Sequence, residues 1–293
     1  MRDLAKIVFM LSLVAVVYIY KDSITGFVYD NIIYRNSNKV LTYNEYYLNN
    51  DFLFVQNTDS KEVNNYQELL NILYTIINSG ESNFTFYCKY DNCINDIKVL
   101  TEDENIVSNI NNFVHPFNSF STISIDIKQD KRIAIKLNKL YSDYQIMYIK
   151  AYIENFINNN INDSMQDKDK IKLFHDYIIN NTEYDQNINT SENSAYNLVK
   201  SGKAICGGYS DIMAIYLNFL NIKNYKISSE NHIWNLIYLD GKWLHLDMTW
   251  DDPVASDGNQ YLLHNFFLID TNELLNLDKV EHSFDYNIYM EAK

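Results

Sequence analysis

The sequence predicts an α+β protein on three observations. Between about residues 27 and 140, one run with helical spacing stands among four short strand-like runs. From residue 141 onward, helical stretches lead into two alternating strands around Asp240-Gly241. The third observation is punctuation: the 293 residues include 7 glycines and 2 prolines, against roughly 20 and 15 at average usage. Four of those glycines, Gly202, Gly207, Gly208 and Gly241, fall in one short region, with Pro253 just beyond it. A chain that avoids flexible residues elsewhere and gathers them there marks that region as the place for chemistry.

The N-terminus comes first. Arg2 and Lys6 precede an apolar stretch from Ile7 to Tyr20, closed by Lys21 and Asp22. Residues 1–22 therefore read as a signal-anchor or signal peptide, at the short end for a span of about 17 to 25 residues. Neither an A-x-A-like cleavage site nor a lipobox-like cysteine follows, which favours an uncleaved anchor. The flanking cations put the rest of the chain outside the cytoplasm, held at the cell membrane by a single anchor, or secreted if the segment is cleaved.

Residues 27–140 read as an accessory α+β domain. Tyr66 to Asn78 carries apolar residues at helical spacing and ends near Gly80; Phe84–Tyr90, Ile97–Leu100, Ser119–Ile127 and Arg132–Leu137 read as strands. His115, beside Pro116, reads as a turn residue. Cys88 and Cys93 are close enough for a small loop disulfide on an exported protein, or stand as two thiols in a strand-loop segment. No second ligand pair accompanies them, so zinc is not expected.

Residues 141–293 begin with a helix from about Asp143 to Asn162 and the polar linker DSMQDKDK. A second helix follows with Ile171, Phe174, His175 and Ile178 on one stripe, where His175 reads as a packing or capping residue. A polar loop then delivers the chain to AICGGYS, at 204 to 210. From there Tyr209, Ile212, Met213, Tyr216, Leu217 and Leu220 recur at helical spacing, so Cys206 sits at the start of an amphipathic helix. Unsatisfied N–H groups and the positive end of the helix dipole stabilise a thiolate there. Gly207 and Gly208 are expected to let a substrate backbone approach and to leave amides free for an oxyanion.

NHIWNLIYLDGKWLHLD, at 231 to 247, reads as a two-strand hairpin with Asp240-Gly241 as its turn. If those two residues form the turn, Leu239 faces Lys242 and Trp234 lies opposite Asp247. His232 then shares a face with Asp247 as its diagonal neighbour, about 7 Å away between Cα atoms. Trp243 and His245 point to the same face. Cys206, His232 and Asp247 supply a nucleophile, a base and a group that orients the base, with Trp234 walling the site.

SAYNLVKSGKAICGGYS, NHIWN and WLHLDMTWDDP, in that order, resemble the transglutaminase-like superfamily, in its exported bacterial branch. The match covers roughly residues 165 to 290. The resemblance implies a papain-like α+β core, with a helix-borne Cys206 packed on an antiparallel sheet bearing His232 and Asp247. It implies no cofactor and no obligatory metal; Asp251 and Asp252 read as turn residues before Pro253. One departure is that Ile222 to Asn231 lacks the glycines common before the histidine, which bears on the shape of the loop beside the site and so on substrate choice.

The implied chemistry is attack on a peptide or side-chain amide to give a thioester. Water then makes the protein a protease or amidase, and a lysine amine makes it a cross-linker. Hydrolysis is favoured slightly, because a transferase needs added features to exclude water. A non-catalytic surface or assembly module is the remaining alternative. The expected partner is a protein or peptide substrate. A net charge of −14 without a basic run argues against nucleic acid, which calls for a concentrated basic face. No motif specifies an oligomeric state.

Overall fold

The computed structural model describes residues 10, 12, 14–21, 23, 41–102, 104–128, 131–185, 193–254 and 261–293. Much of the expected N-terminal targeting segment, and part of the polar loop before the glycine cluster, lie outside these. Among the described residues, no helix is long and apolar enough to cross a membrane.

The first layer holds β1 (Glu62–Val63), α1 (Tyr66–Ser79), β2 (Asn83–Cys88), α2 (Cys93–Glu102), α3 (Glu104–Asn111), β3 (Phe120–Ile127) and β4 (Arg132–Lys139). Its sheet runs β1-β2-β4-β3. Asn65 caps α1 by accepting the Glu68 N–H, and Gly80, at φ 80°, ends it in the left-handed conformation that glycine adopts without strain. The strand expected over Ile97–Leu100 is instead part of α2. Cys93, Ile97 and Leu100 form one buried helical stripe while Val99 is exposed; a four-residue run with three apolar positions does not by itself distinguish the two periods. Cys88 and Cys93 form a disulfide that ties the end of β2 to the start of α2.

The second layer begins with α4 (Asp143–Asn160), opened by a Ser142/Gln145 capping box. There follow α5 (Asp167–Asn181), β5 (Glu183–Tyr184), α6 (Ala195–Ser201), β6 (Lys203–Ala204) and α7 (Cys206–Phe219). Then come β7 (Asn224–Ser228), β8 (Ile233–Leu239), β9 (Lys242–Leu246), β10 (Phe267–Ile269) and α8 (Thr271–Leu277). The second sheet runs β10-β9-β8-β7, so part of the stretch expected to be a loop before His232 is strand β7.

Helix α7 is buried on nearly every side from Gly207 to Leu217, not along one stripe only. The sheet covers one side of it, and α4, α5 and α6 complete the same apolar cluster. Ile237, Leu239 and Leu246 face this cluster. The alternate residues Tyr225, Ile227, Trp234 and Leu236 join the core of the first layer. The second sheet is thus sandwiched, and one apolar core runs across the junction between the two layers. Asp211, on α7, is buried against Lys226 Nζ at 2.6 Å and the Tyr141 hydroxyl at 2.5 Å. That hydroxyl also accepts the Ala195 N–H, which fixes the start of α6 beside α7.

Candidate active site

The hairpin has the expected register. Asp240 and Gly241, at φ 52° and 81°, make the tight turn, and the pairs run from Leu239↔Lys242 to Asn235↔Leu246. Asp247 follows the end of β9, and His232 immediately precedes β8, where the Ser229 N–H donates to its carbonyl and closes the incoming loop. His232 Nε2 hydrogen-bonds Asp247 Oδ2. The Cys206 side chain acts on the same imidazole, and with Nε2 committed to Asp247 the nitrogen left to face a thiol is Nδ1. The three residues proposed from sequence therefore meet, although Cys206 is 41 positions before Asp247.

Cys206 is the first residue of α7 and is partly exposed. Ile205, at the cap position, provides no side-chain acceptor, and the first N–H groups of an α-helix have no intrahelical partner. The Gly208 N–H turns back to the Ile205 carbonyl at 2.9 Å. Those of Cys206 and Gly207 remain at the helix mouth.

Burial alone would push the His232 imidazole down. The Asp247 carboxylate outweighs that and, with Cys206, raises it to about 10. Asp247 is fully buried, yet His232 and His282 hold its carboxyl well below the usual range. Its Oδ1 accepts the Thr249 hydroxyl at 2.5 Å, the Thr249 N–H at 2.9 Å and the Trp250 N–H at 3.3 Å. Its Oδ2 accepts a second histidine, His282, at 3.0 Å. Tyr184 lines the thiol side, its hydroxyl pushed up by burial and then by the charges of Cys206 and Asp247.

Three expectations are corrected. Gly207 and Gly208 do not open the site to substrate: both are buried. A Cβ on Gly207 would lie 1.9 Å from the Asn193 side chain, and one on Gly208 would lie 2.7 Å from Ala204 Cβ and 3.0 Å from the Ser194 carbonyl. Gly208 is required because Ala204 and the Ser194 backbone pack directly on the first turn of α7, whereas at Gly207 the neighbour is the exposed Asn193 side chain, which can move aside. Trp234 is 1% exposed and does not present a surface to substrate. Its ring stacks on His232 at 5.6 Å between centroids, and its indole N–H donates to His245 Nδ1 at 2.9 Å, so it backs the imidazole from inside. Asp251 and Asp252 are buried acceptors as well as turn residues. Asp251 takes the Phe266 N–H at 3.0 Å and faces His175 Nε2 at 3.2 Å. Asp252 takes the Tyr209 hydroxyl at 2.6 Å, and burial pushes its carboxyl up to about 6.

Sequence reasoning missed Thr249 and His282. Thr249 was readable as Asp-x-Thr, a spacing that lets a carboxylate bond the backbone two residues on. His282 carries no local signal. Among the described residues, the side-chain nitrogens and oxygens of His232, Asp247 and His282 lie within 4.8 Å of one another, as do those of His175, Asp176 and His264; in the first group Asp247 Oδ2 hydrogen-bonds both imidazoles. In the second group, Asp176 Oδ1 lies 2.9 Å from His175 Nδ1 and 2.7 Å from His264 Nε2. These are hydrogen-bond separations, shorter than the roughly 3.4 Å between tetrahedral zinc ligands.

A helix-borne cysteine packed on an antiparallel sheet that carries a histidine and an aspartate is the layout of a cysteine-nucleophile α+β domain. Residues 155–248, which include Cys206, His232 and Asp247, match the model of the transglutaminase-like superfamily. No curated protein matches the chain. Among solved structures, a TGase is similar at 18% identity and a TM-score of 0.34, over 48% of this chain and 48% of that one. A candidate cysteine protease from Cytophaga hutchinsonii is similar at 12% identity and a TM-score of 0.29, over 48% of this chain and 65% of that one. The chain thus spans about half the length of the TGase and just under two thirds of the second protein.

Proposed function

We propose that the chain is a cysteine-dependent enzyme with a papain-like core that forms an acyl-enzyme on peptide or side-chain amides. The observation that carries this reading is the position of the His232 imidazole between the Cys206 thiol and the Asp247 carboxylate. His232 Nδ1 takes the thiol proton, and Sγ attacks the amide carbonyl carbon. N–H groups at the start of α7 receive the developing oxyanion. The His232 proton passes to the departing amine as the C–N bond breaks, leaving a thioester. Water, deprotonated by His232, then releases the acid, and this hydrolytic outcome is favoured; a lysine amine attacking the same thioester would instead form a cross-link. Asp247 fixes the imidazole tautomer and stabilises its cation.

The substrate is a protein or peptide. The N-terminal segment anchors the chain at the membrane with this site outside; the exposed side chains of Val14, Val16, Val17 and Ile19 support that reading. Iodoacetamide should alkylate Cys206 at pH 6 to 7 at least tenfold faster than a model thiol, and Cys206→Ala should remove all labelling of the folded chain. Casein with a fluorescent amine separates the two outcomes. Shortened peptides that require Cys206 mean hydrolysis, and incorporated amine means transfer. Neither product, together with slow labelling, would sink the enzyme reading in favour of a non-catalytic module. A membrane-impermeant thiol probe on intact cells tests the orientation at the same thiol.

A further inference from the structure

His282 lies 35 residues beyond Asp247 and is fully buried. Both ring nitrogens face carboxylates: Nε2 is 3.0 Å from Asp247 Oδ2 and Nδ1 is 2.8 Å from Asp278 Oδ2. Neither carboxylate is a plausible proton donor. Asp247 accepts from five directions, and Asp278 also accepts the N–H groups of Val280 and Glu281. Both carboxyls are held below the usual range: burial opposes this in each case, and hydrogen bonds from the histidines outweigh it. A neutral imidazole can donate through only one nitrogen, so two ionised partners require both nitrogens to be protonated. The ring is clamped in that position, stacked on Phe266 at 5.2 Å and met edge-on by Trp234 at 4.8 Å and Trp250 at 5.0 Å.

We propose that His282 is a positioning residue for the triad: a buried imidazolium, held by Asp278, that aims Asp247 Oδ2 at His232 and offsets the charge of that carboxylate. The inference rests on the acyl-enzyme reading above. When His232 gives its proton to the leaving amine, Asp247 would otherwise be left as a buried, unpaired anion, which is costly. With His282 beside it, the carboxylate keeps a cation whichever charge state His232 is in, so His232 can release its proton. Removing that charge should therefore show in how Cys206 alkylation depends on pH.

The charged and titratable groups around this chain of contacts are Cys206 at the start of α7, Tyr184 on β5, His232 before β8, His245 and Asp247 on β9 and its end, and Asp278 after α8. Asp251 turns away toward His175. His245 is pushed down to about 3, by burial first and by His282 second, and stays neutral.

The test reads the pH dependence of Cys206 alkylation by iodoacetamide in the full chain, for the wild type, His282→Asn, Asp278→Asn and Asp247→Asn. Asn at 282 keeps one donor and removes the charge. His282→Asn should shift the profile about one unit alkaline, so that the rate at pH 6 falls about tenfold, with a smaller shift in the same direction for Asp278→Asn. A purely structural His282 would change yield or melting temperature and leave the profile of the folded protein in place, and that result overturns the proposal. If the wild type alkylates like a model thiol and Asp247→Asn changes nothing, the acyl-enzyme reading itself fails. Nitrogen-15 spectra of the histidines in the wild type keep the test independent of variant folding. His282 should show two protonated ring nitrogens from pH 5 to 8, and a neutral tautomer at pH 7 would refute the imidazolium.

Discussion

Two of the histidine–aspartate pairs in the second layer are arranged in opposite ways. His175 sits mid-helix in α5, fully buried, with Nδ1 on Asp176 and Nε2 on Asp251. Both of its nitrogens are engaged and no thiol faces it. His232 stands at the start of a strand, with one nitrogen on Asp247 and its ring in contact with a partly exposed thiol. The first pair ties α5 to the turn after β9. The second has the same contact with its ring against a thiol that is partly exposed. A buried histidine–carboxylate contact is thus a structural device by default, and it becomes a reactive one where a ring atom is left for a reacting group.

The largest effect should come from breaking the second pair. Asp247→Asn should lower turnover by about 10²- to 10⁴-fold and slow alkylation of Cys206. It should also change the response of stability to pH. His232 moves from an ordinary 6.5 to about 10 in the folded chain, so it binds its proton more tightly when folded. That stabilisation is complete below pH 6.5 and is lost as the pH rises through about 10. The wild type should therefore lose melting temperature between pH 7 and 10 by an amount that Asp247→Asn abolishes.

Breaking the first pair should act on stability alone. Asp251→Asn weakens the partner of His175 and should cost about 1–3 kcal/mol, leaving the alkylation rate of the folded fraction unchanged. A large fall in that rate would mean that the two pairs are coupled and the contrast fails. Gly208→Ala forces a Cβ against Ala204 and the Ser194 backbone and should cost about 1–3 kcal/mol, moving the thiol relative to His232 while sparing His175. Gly241→Ala strains a turn residue at φ 81° for about 1 kcal/mol. Its Cβ would meet nothing within 4 Å, so denaturant unfolding should register the loss with alkylation untouched.

The His232–Asp247 pair was legible because it is local. An Asp-Gly turn and a two-residue side-chain period together determine that His232 and Asp247 share a face, and the helix carrying Cys206 shows its own period. What could not be read is carried by long-range packing. The buried role of Trp234 depends on the first layer lying behind it. The need for glycine at 208 comes from Ser194 and Ala204 folding back onto the helix start. His282 reaches Asp247 only after β10 and α8 have turned the chain around. The run Ile97–Leu100 was too short for its period to be told from that of a strand, and the disulfide at Cys93 adds a constraint its spacing left open.

The core that crosses between the layers bears on how the protein can be divided. A fragment starting at residue 141 would keep Cys206, His232, Asp247 and His282 yet uncover Tyr225, Ile227, Trp234 and Leu236 as one apolar patch on the outer side of its sheet. Patches of that kind drive self-association. Trp234 is also the floor beneath His232, so water admitted there would loosen the imidazole from behind. The amino-terminal layer is in this sense the back wall of the candidate site, and excising the site from it should give an aggregating product with a loosened imidazole.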